Sequence, residues 1–186
     1  MSAVSFRPMT EADLPLVAEW LGQAHIQQWW KDPAAPEKAR DKYLPRIRGA
    51  EPTDMFVLEV EGRPVGLIQS YRMRDHPAWE TTIAGTGLTF PAAAGIDYAI
   101  GEPKLIGKGI GSDAIRAFTA AVFVSYPEVE TIVVTPQAAN RASCRVLEKA
   151  DYELAWTGKL DSDDPADSGP AALYVRSRSP VEGPVT

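Results

Sequence analysis

The chain is poor in the residues that build metal and redox sites. One cysteine, Cys144, and two histidines, His25 and His76, stand among 186 residues. A single thiol cannot close an intramolecular disulfide, which fits a reducing compartment. Without clustered thiols and imidazoles no metal site is expected. Nor is there an apolar run of the ~20 residues that a membrane span requires, and residues 1–10 lack a basic-then-apolar leader. Lys and Arg number 19 against 25 Asp and Glu, a net charge of −6 with no basic stripe. That argues against a nucleic-acid partner. The expectation is a cytoplasmic protein, monomeric or homodimeric, with no membrane or nucleic-acid role. Its negative field could focus a cationic ligand in a cleft, although such charge is also ordinary solubility.

What is present describes a globular chain: 45% of residues are hydrophobic and 24% charged. One domain is expected over 1–179, with a short Pro- and Gly-bearing tail over 180–186. Alternation over 4–9, stopped by Pro8, reads as an edge strand. Thr10 followed by Glu11 and Asp13 is a helix start, and Leu14, Val17, Trp20 and Leu21 recur at helical spacing. A short helix around Ile26, Trp29 and Trp30 precedes the Asp32-Pro33 break, and 37–47 resumes the helical period. Strands are expected over 55–60, 65–71, 95–100, 131–134, 152–157 and 172–176, and helices over 112–123 and 138–149. The stretch 72–94 reads as a long loop. Strands interleaved with helices place the chain in the α+β or α/β class.

Two local features carry chemistry. The first is Gly107-Lys108-Gly109-Ile110-Gly111, after a strand and before a helix. Glycines there let main-chain N–H groups converge on an anion at the helix N-terminus. The spacing is not that of a nucleotide P-loop, because five residues separate Gly101 from Gly107 and Gly109 follows Lys108. It is not a dinucleotide fingerprint either. The second feature is Asp97, a lone acid in Gly95-Ile96-Asp97-Tyr98-Ala99-Ile100. An acid inside an apolar strand is costly unless it faces water, is paired or is used.

On these residues the chain resembles the GCN5-related N-acetyltransferases, whose pyrophosphate loop is similar to Leu105–Gly111 and whose following helix is similar to 140–150. More narrowly, Glu19-Trp20-Leu21, His25 to Trp30, Tyr43-Leu44-Pro45, Gln69-Ser70-Tyr71 and Gly95-Ile96-Asp97 resemble the aminoglycoside 6'-N-acetyltransferases. The resemblance runs from about Phe6 to Arg176. It implies a three-layer α+β fold with a mixed, mostly antiparallel sheet, helices on its faces and a splayed central strand pair. It also implies acetyl-CoA as co-substrate, a cationic aminosugar as acceptor and a role in antibiotic resistance.

By the same resemblance Asp97 is the catalytic residue, meeting the substrate amine. Trp30, Tyr43, Gln69, Tyr71, Asp75 and Asp167 join it in holding substrate. Ile100, Ile106, Gly107, Lys108, Gly109, Ile110, Gly111, Ser112, Asn140 and Lys149 hold the coenzyme. Two positions depart from the family pattern. Thr135 precedes Pro136 where an Asp is expected, and Leu147 stands where the superfamily often has a Tyr that protonates the leaving thiolate. Two other readings stay open, the first because a sister family shares the early helix and the glycine loop, the second because of these departures. One is an acyltransferase acting on a lysine-derived amine, as in the siderophore-type enzymes. The other is a non-catalytic module that binds the coenzyme or a cationic antibiotic.

Overall fold

The computed structural model describes residues 3–179; the tail expected from 180 onward lies outside them. Seven strands form one sheet in the order β1-β2-β3-β4-β5-β7-β6, the mixed α+β architecture that was expected. They are β1 (Val4–Pro8), β2 (Asp54–Val60), β3 (Arg63–Arg72), β4 (Ala93–Ile100), β5 (Thr131–Val134), β6 (Glu153–Gly158) and β7 (Ala171–Ser177). The helices are α1 (Leu14–Leu21), α2 (Ala24–Gln27), α3 (Pro36–Ile47), α4 (Pro77–Ala84), α5 (Ile110–Ser125) and α6 (Arg141–Lys149). No helix among the described residues is long and apolar enough to cross a membrane.

The ladders explain where backbone is left open. Pairing of β1 with β2, β2 with β3, β5 with β7 and β6 with β7 is antiparallel. β4 runs parallel to β5, but their register covers only Ala93, Ala94 and Gly95 against Thr131, Ile132 and Val133. Beyond Gly95 the fourth strand continues to Ile100 with no partner on β5. The ladder stops there because β5 itself ends at Val134.

Contacts divide the chain into two compact units, 1–70 with 97–114 and 71–96 with 115–186. In the first, Val17 and Leu21 of α1, Ala39 and Tyr43 of α3, Val57 of β2 and Leu67 of β3 are fully buried together. β3 is buried without interruption from Val65 to Ser70, the mark of an interior strand covered on both faces. In the second, Met73, Ile83, Ala93, Val133 and Leu173 form the core, with Trp79 packed against it.

Ile83 and Trp79 belong to α4, which lies in the stretch expected to be a loop. Proline at its first position and two apolar residues four apart suffice for two turns of helix, because tertiary burial of Ile83 stabilises what local pattern does not. A 3-10 turn over Met73–Asp75 precedes it. The remaining boundaries move by a few residues. α5 starts two residues earlier than expected, and α6 starts at Arg141 because Asn140 caps it, accepting from the Ser143 amide at 3.1 Å.

The expected helix start at Thr10 is built around Asp13. The Thr10 amide and hydroxyl both donate to Asp13 Oδ2, at 2.8 and 2.9 Å. Arg7 of β1 grips both carboxylate oxygens, at 2.8 and 2.7 Å. This bidentate bond holds the nearly buried Asp13 carboxyl down to a pKa of about 2, against desolvation that pushes the other way. A depressed carboxylate pKa stabilises the fold above the unfolded value, and that stability is lost as pH falls through the folded value. Asp13→Asn should therefore cost on the order of 1–2 kcal/mol at pH 7, discounted for the part-exposed Arg7. The deficit should shrink between pH 4 and pH 2. Urea melts of both proteins across that range are the check.

Candidate active site

Alternation along β3 puts Gln69 and Tyr71 on one side of the strand, and alternation along β4 does the same for Gly95 and Asp97. In the first unit, Gln69 Nε2 donates to Asp97 Oδ2 at 2.7 Å. Gln69 is buried, whereas Asp97 keeps part of its surface open. Protein surrounds the rest of the carboxylate, and this desolvation raises its pKa above the ordinary aspartate value. The Gln69 bond and the positive charges of Arg46 and Lys42 pull down, while Asp32 adds to the rise.

The residues behind Gln69 come from α3 and the loop before it. Arg46 Nη1 donates to Gln69 Oε1 at 3.0 Å, and its Nε donates to Glu51 at 3.1 Å. Its guanidinium carbon lies 5.6 Å from the Tyr43 ring centre. The Tyr43 hydroxyl and Lys42 Nζ both donate to the buried carboxylate of Asp32. Burial and that neighbouring carboxylate hold the Tyr43 phenol neutral, well above its usual pKa.

Tyr43 thus corrects an expectation. Its side chain is 0% exposed and presents no face to a sugar; it packs in the core and fixes Asp32. Trp30 is half-buried, packed on the same core and partly open, as a cleft residue needs to be. Asp32, Lys42 and Arg46 were missed in the sequence. Helical spacing offered one signal, because Ala39, Tyr43 and Arg46 fall on a single face of α3.

In the second unit, Tyr71 meets the His76 ring edge-on, 4.8 Å between centres. Its ring also fills the space that a side chain at Gly95 would need, which explains that glycine. Asp75 is paired with Arg72 Nε at 2.7 Å, so its carboxylate already has a cation. Asp167 is half-buried on a 3-10 turn, its pKa raised by desolvation. The structure brings together Gln69 and Asp97; Tyr71, Asp75 and Asp167 belong to the other unit.

The glycine-rich loop leads directly into α5. Gly107 and Gly109 adopt φ of 78° and 85°, in the left-handed region that glycine enters freely. Residues 106–109 are exposed, and the amides of Gly107, Gly109, Ile110 and Gly111 are not taken by carbonyls of the loop. Amides so placed at a helix N-terminus suit an anion, which makes the loop a candidate cradle. The side chains of Ile110 and Ser112 are buried, so only their main chain can face such a group. Just upstream, His25 Nε2 holds the Ile100 carbonyl at 2.8 Å. Asn140 has its side-chain oxygen committed to the helix cap, and Lys149 is exposed.

The fourth strand bears a desolvated carboxylate and leads to a glycine-rich loop at the start of a helix. The chain belongs to the GNAT acetyltransferase family, whose domain model matches residues 9–160. It is 32% identical over 185 residues to aminoglycoside N(6')-acetyltransferase type 1 of Klebsiella pneumoniae, covering 97% of this chain and 86% of that protein. It is 26% identical over 176 residues to the lysine N-acyltransferase MbtK of a Mycobacterium species (strain MCS), covering 95% and 67% of the two. A crystal structure of aminoglycoside acetyltransferase AAC(6')-Ib with coenzyme A and kanamycin superposes with a TM-score of 0.79 at 31% identity, over 95% of each chain. The protein is an N-acetyltransferase.

The cradle yields a specific expectation. An L-residue at Gly109 must take left-handed backbone at a cost of roughly 1–2 kcal/mol, or else move the loop. Gly109→Ala should raise KM for acetyl-CoA by about tenfold, the equivalent of ~1.4 kcal/mol, and leave KM for the amine unchanged. Initial rates with each substrate varied in turn measure both.

Proposed function

We propose that this protein transfers the acetyl group of acetyl-CoA to the 6'-amine of aminoglycosides in the cytoplasm, with Asp97 meeting the amine. The observation that carries the reading is the Gln69–Asp97 pair on the part of β4 that has no β5 partner. The relatives named above support the choice of acceptor, and the negative net charge agrees with a cationic one.

The chemistry follows from these groups. An aminoglycoside amine arrives as an ammonium ion, which a carboxylate attracts. Transfer needs the neutral amine, so a proton passes from nitrogen to Asp97 or through it to water. Desolvation makes Asp97 a stronger base than an exposed aspartate, while the Gln69 bond keeps its anion oriented. The amine nitrogen then attacks the thioester carbonyl, the C–S bond breaks and the thiolate leaves. Main chain of β4 from Asp97 onward would receive the pantetheine arm and the acetyl oxygen, and the loop at 107–111 the pyrophosphate. In the first unit Trp30, half-buried on the core, would contact an aminosugar ring.

The test follows free-thiol release with paired aminoglycosides differing only in a 6'-amine or a 6'-hydroxyl. Release confined to the 6'-amino members is expected. Release with lysine-type amines and with no aminoglycoside would overturn the acceptor assignment, and coenzyme binding without any release would leave a binding module. Asp97→Asn should lower kcat by roughly 10²–10⁴-fold and barely change KM for acetyl-CoA. The raised pKa carries a second sign. An acid whose folded pKa lies above its unfolded value costs stability once ionised, and the cost disappears as pH falls through the folded value. Asp97→Asn should accordingly melt no lower than wild type at pH 7.

A further inference from the structure

We propose that Arg46 is a positioning residue for acetyl transfer, acting through Gln69 to set which end of that amide faces Asp97. The proposal rests on the reading of Asp97 as the group that meets the amine. A glutamine amide has a donating and an accepting end of nearly identical shape, and either could point at a neighbour. Beside a carboxylate the difference is large: the NH2 end stabilises the anion, and the oxygen end repels it. Arg46 removes the ambiguity. A guanidinium can only donate, so the Gln69 atom 3.0 Å from Arg46 Nη1 must be the oxygen. The nitrogen is then obliged to face Asp97 Oδ2, at 2.7 Å. Gln69 is buried, so water does not offer its oxygen a substitute donor.

Arg46 is itself held for this task. Glu51 takes its Nε at 3.1 Å, and the face of the Tyr43 ring lies beneath its guanidinium. Tyr43 is locked by Asp32, which Lys42 also binds. The charged and titratable groups acting on Asp97 from the surrounding elements are therefore Arg46 and Lys42 of α3, Asp32 of the preceding loop and the neutral phenol of Tyr43. Of these, Arg46 alone bonds to a residue that touches the carboxylate.

The experiment is a titration of the Asp97 carboxyl by NMR in protein carrying 13C-labelled aspartate, its signal assigned with Asp97→Asn. Arg46→Met frees the amide to turn, and the Asp97 pKa should rise by roughly one unit while kcat/KM for the amine falls. Part of that rise would come from losing the charge of Arg46 directly. The same substitution is therefore made in a Gln69→Met background, where an effect transmitted by the amide vanishes and a direct one persists. A shift in the double variant less than half that in the single one supports the proposal. Equal shifts, or no shift from Arg46→Met, overturn it. If Arg46→Met does not fold, Arg46→Ala, which likewise offers Gln69 no donor, serves in its place, again compared with and without Gln69. Undiminished turnover by Asp97→Asn would instead bring down the underlying reading of Asp97, an outcome separate from all of these.

Discussion

The hydrogen bond between Gln69 and Asp97 is the constraint that the rest of the first unit answers to. A carboxylate placed in a strand among Ile96, Tyr98 and Ala99 is unfavourable in proportion to the water it has lost. It is tolerable here because a buried amide donates to it at 2.7 Å. That amide is directed in turn by Arg46, and Arg46 is steadied by Glu51 and the ring of Tyr43. Each partner in the series satisfies a group that would otherwise be a buried liability. The outcome is one carboxylate that is oriented yet incompletely neutralised, the state suited to receiving an ammonium ion.

Glycines do comparable work on the coenzyme side. At Gly107 and Gly109 the backbone takes left-handed angles, which leaves amides pointing outward just where α5 begins. The side chains of Ile110 and Ser112 are directed into the protein. The first turn of the helix is thereby anchored from within while its outer main chain stays free. On the proposed reading, a loop already shaped in this way would meet an anion with little further ordering.

Much of this was legible from residue order alone. The glycine loop announced itself by spacing, and Asp97 by being an acid in an apolar strand. Gln69 and Tyr71 were singled out through resemblance as substrate residues; Gln69 lies beside Asp97, and the Tyr71 ring covers Gly95. What stayed hidden depends on distance in sequence. Tyr43 at helical spacing looks the same whether it faces a cleft or a core; only the buried Asp32, brought in from before α3, decides the matter. Asp75 was singled out by resemblance alone, and its pairing with Arg72 lay in a stretch read as loop, where no pattern joins the two. α4 was invisible because two apolar residues make no periodic pattern, and its stability comes from the core that Ile83 joins.

Leu147 poses the remaining chemical question, since the superfamily often has a tyrosine there to protonate the thiolate. The leucine is fully buried and contributes packing alone. Its neighbours do not replace the missing acid: Cys144 is buried, and the Tyr174 hydroxyl donates to Glu148 at 2.9 Å. Burial and that carboxylate push the Tyr174 pKa upward, away from a range useful for proton donation. The proton count shows why the reaction can still close. An amine and a thioester become an amide and a thiol with no net proton gained or lost, so the proton leaving nitrogen suffices for sulfur. A thiol with a pKa of about 8.5 is a tolerable leaving group even as its anion. On the proposed reading the demanding proton transfer is therefore at the amine, beside Asp97, and the thiolate can take its proton from water once it has left.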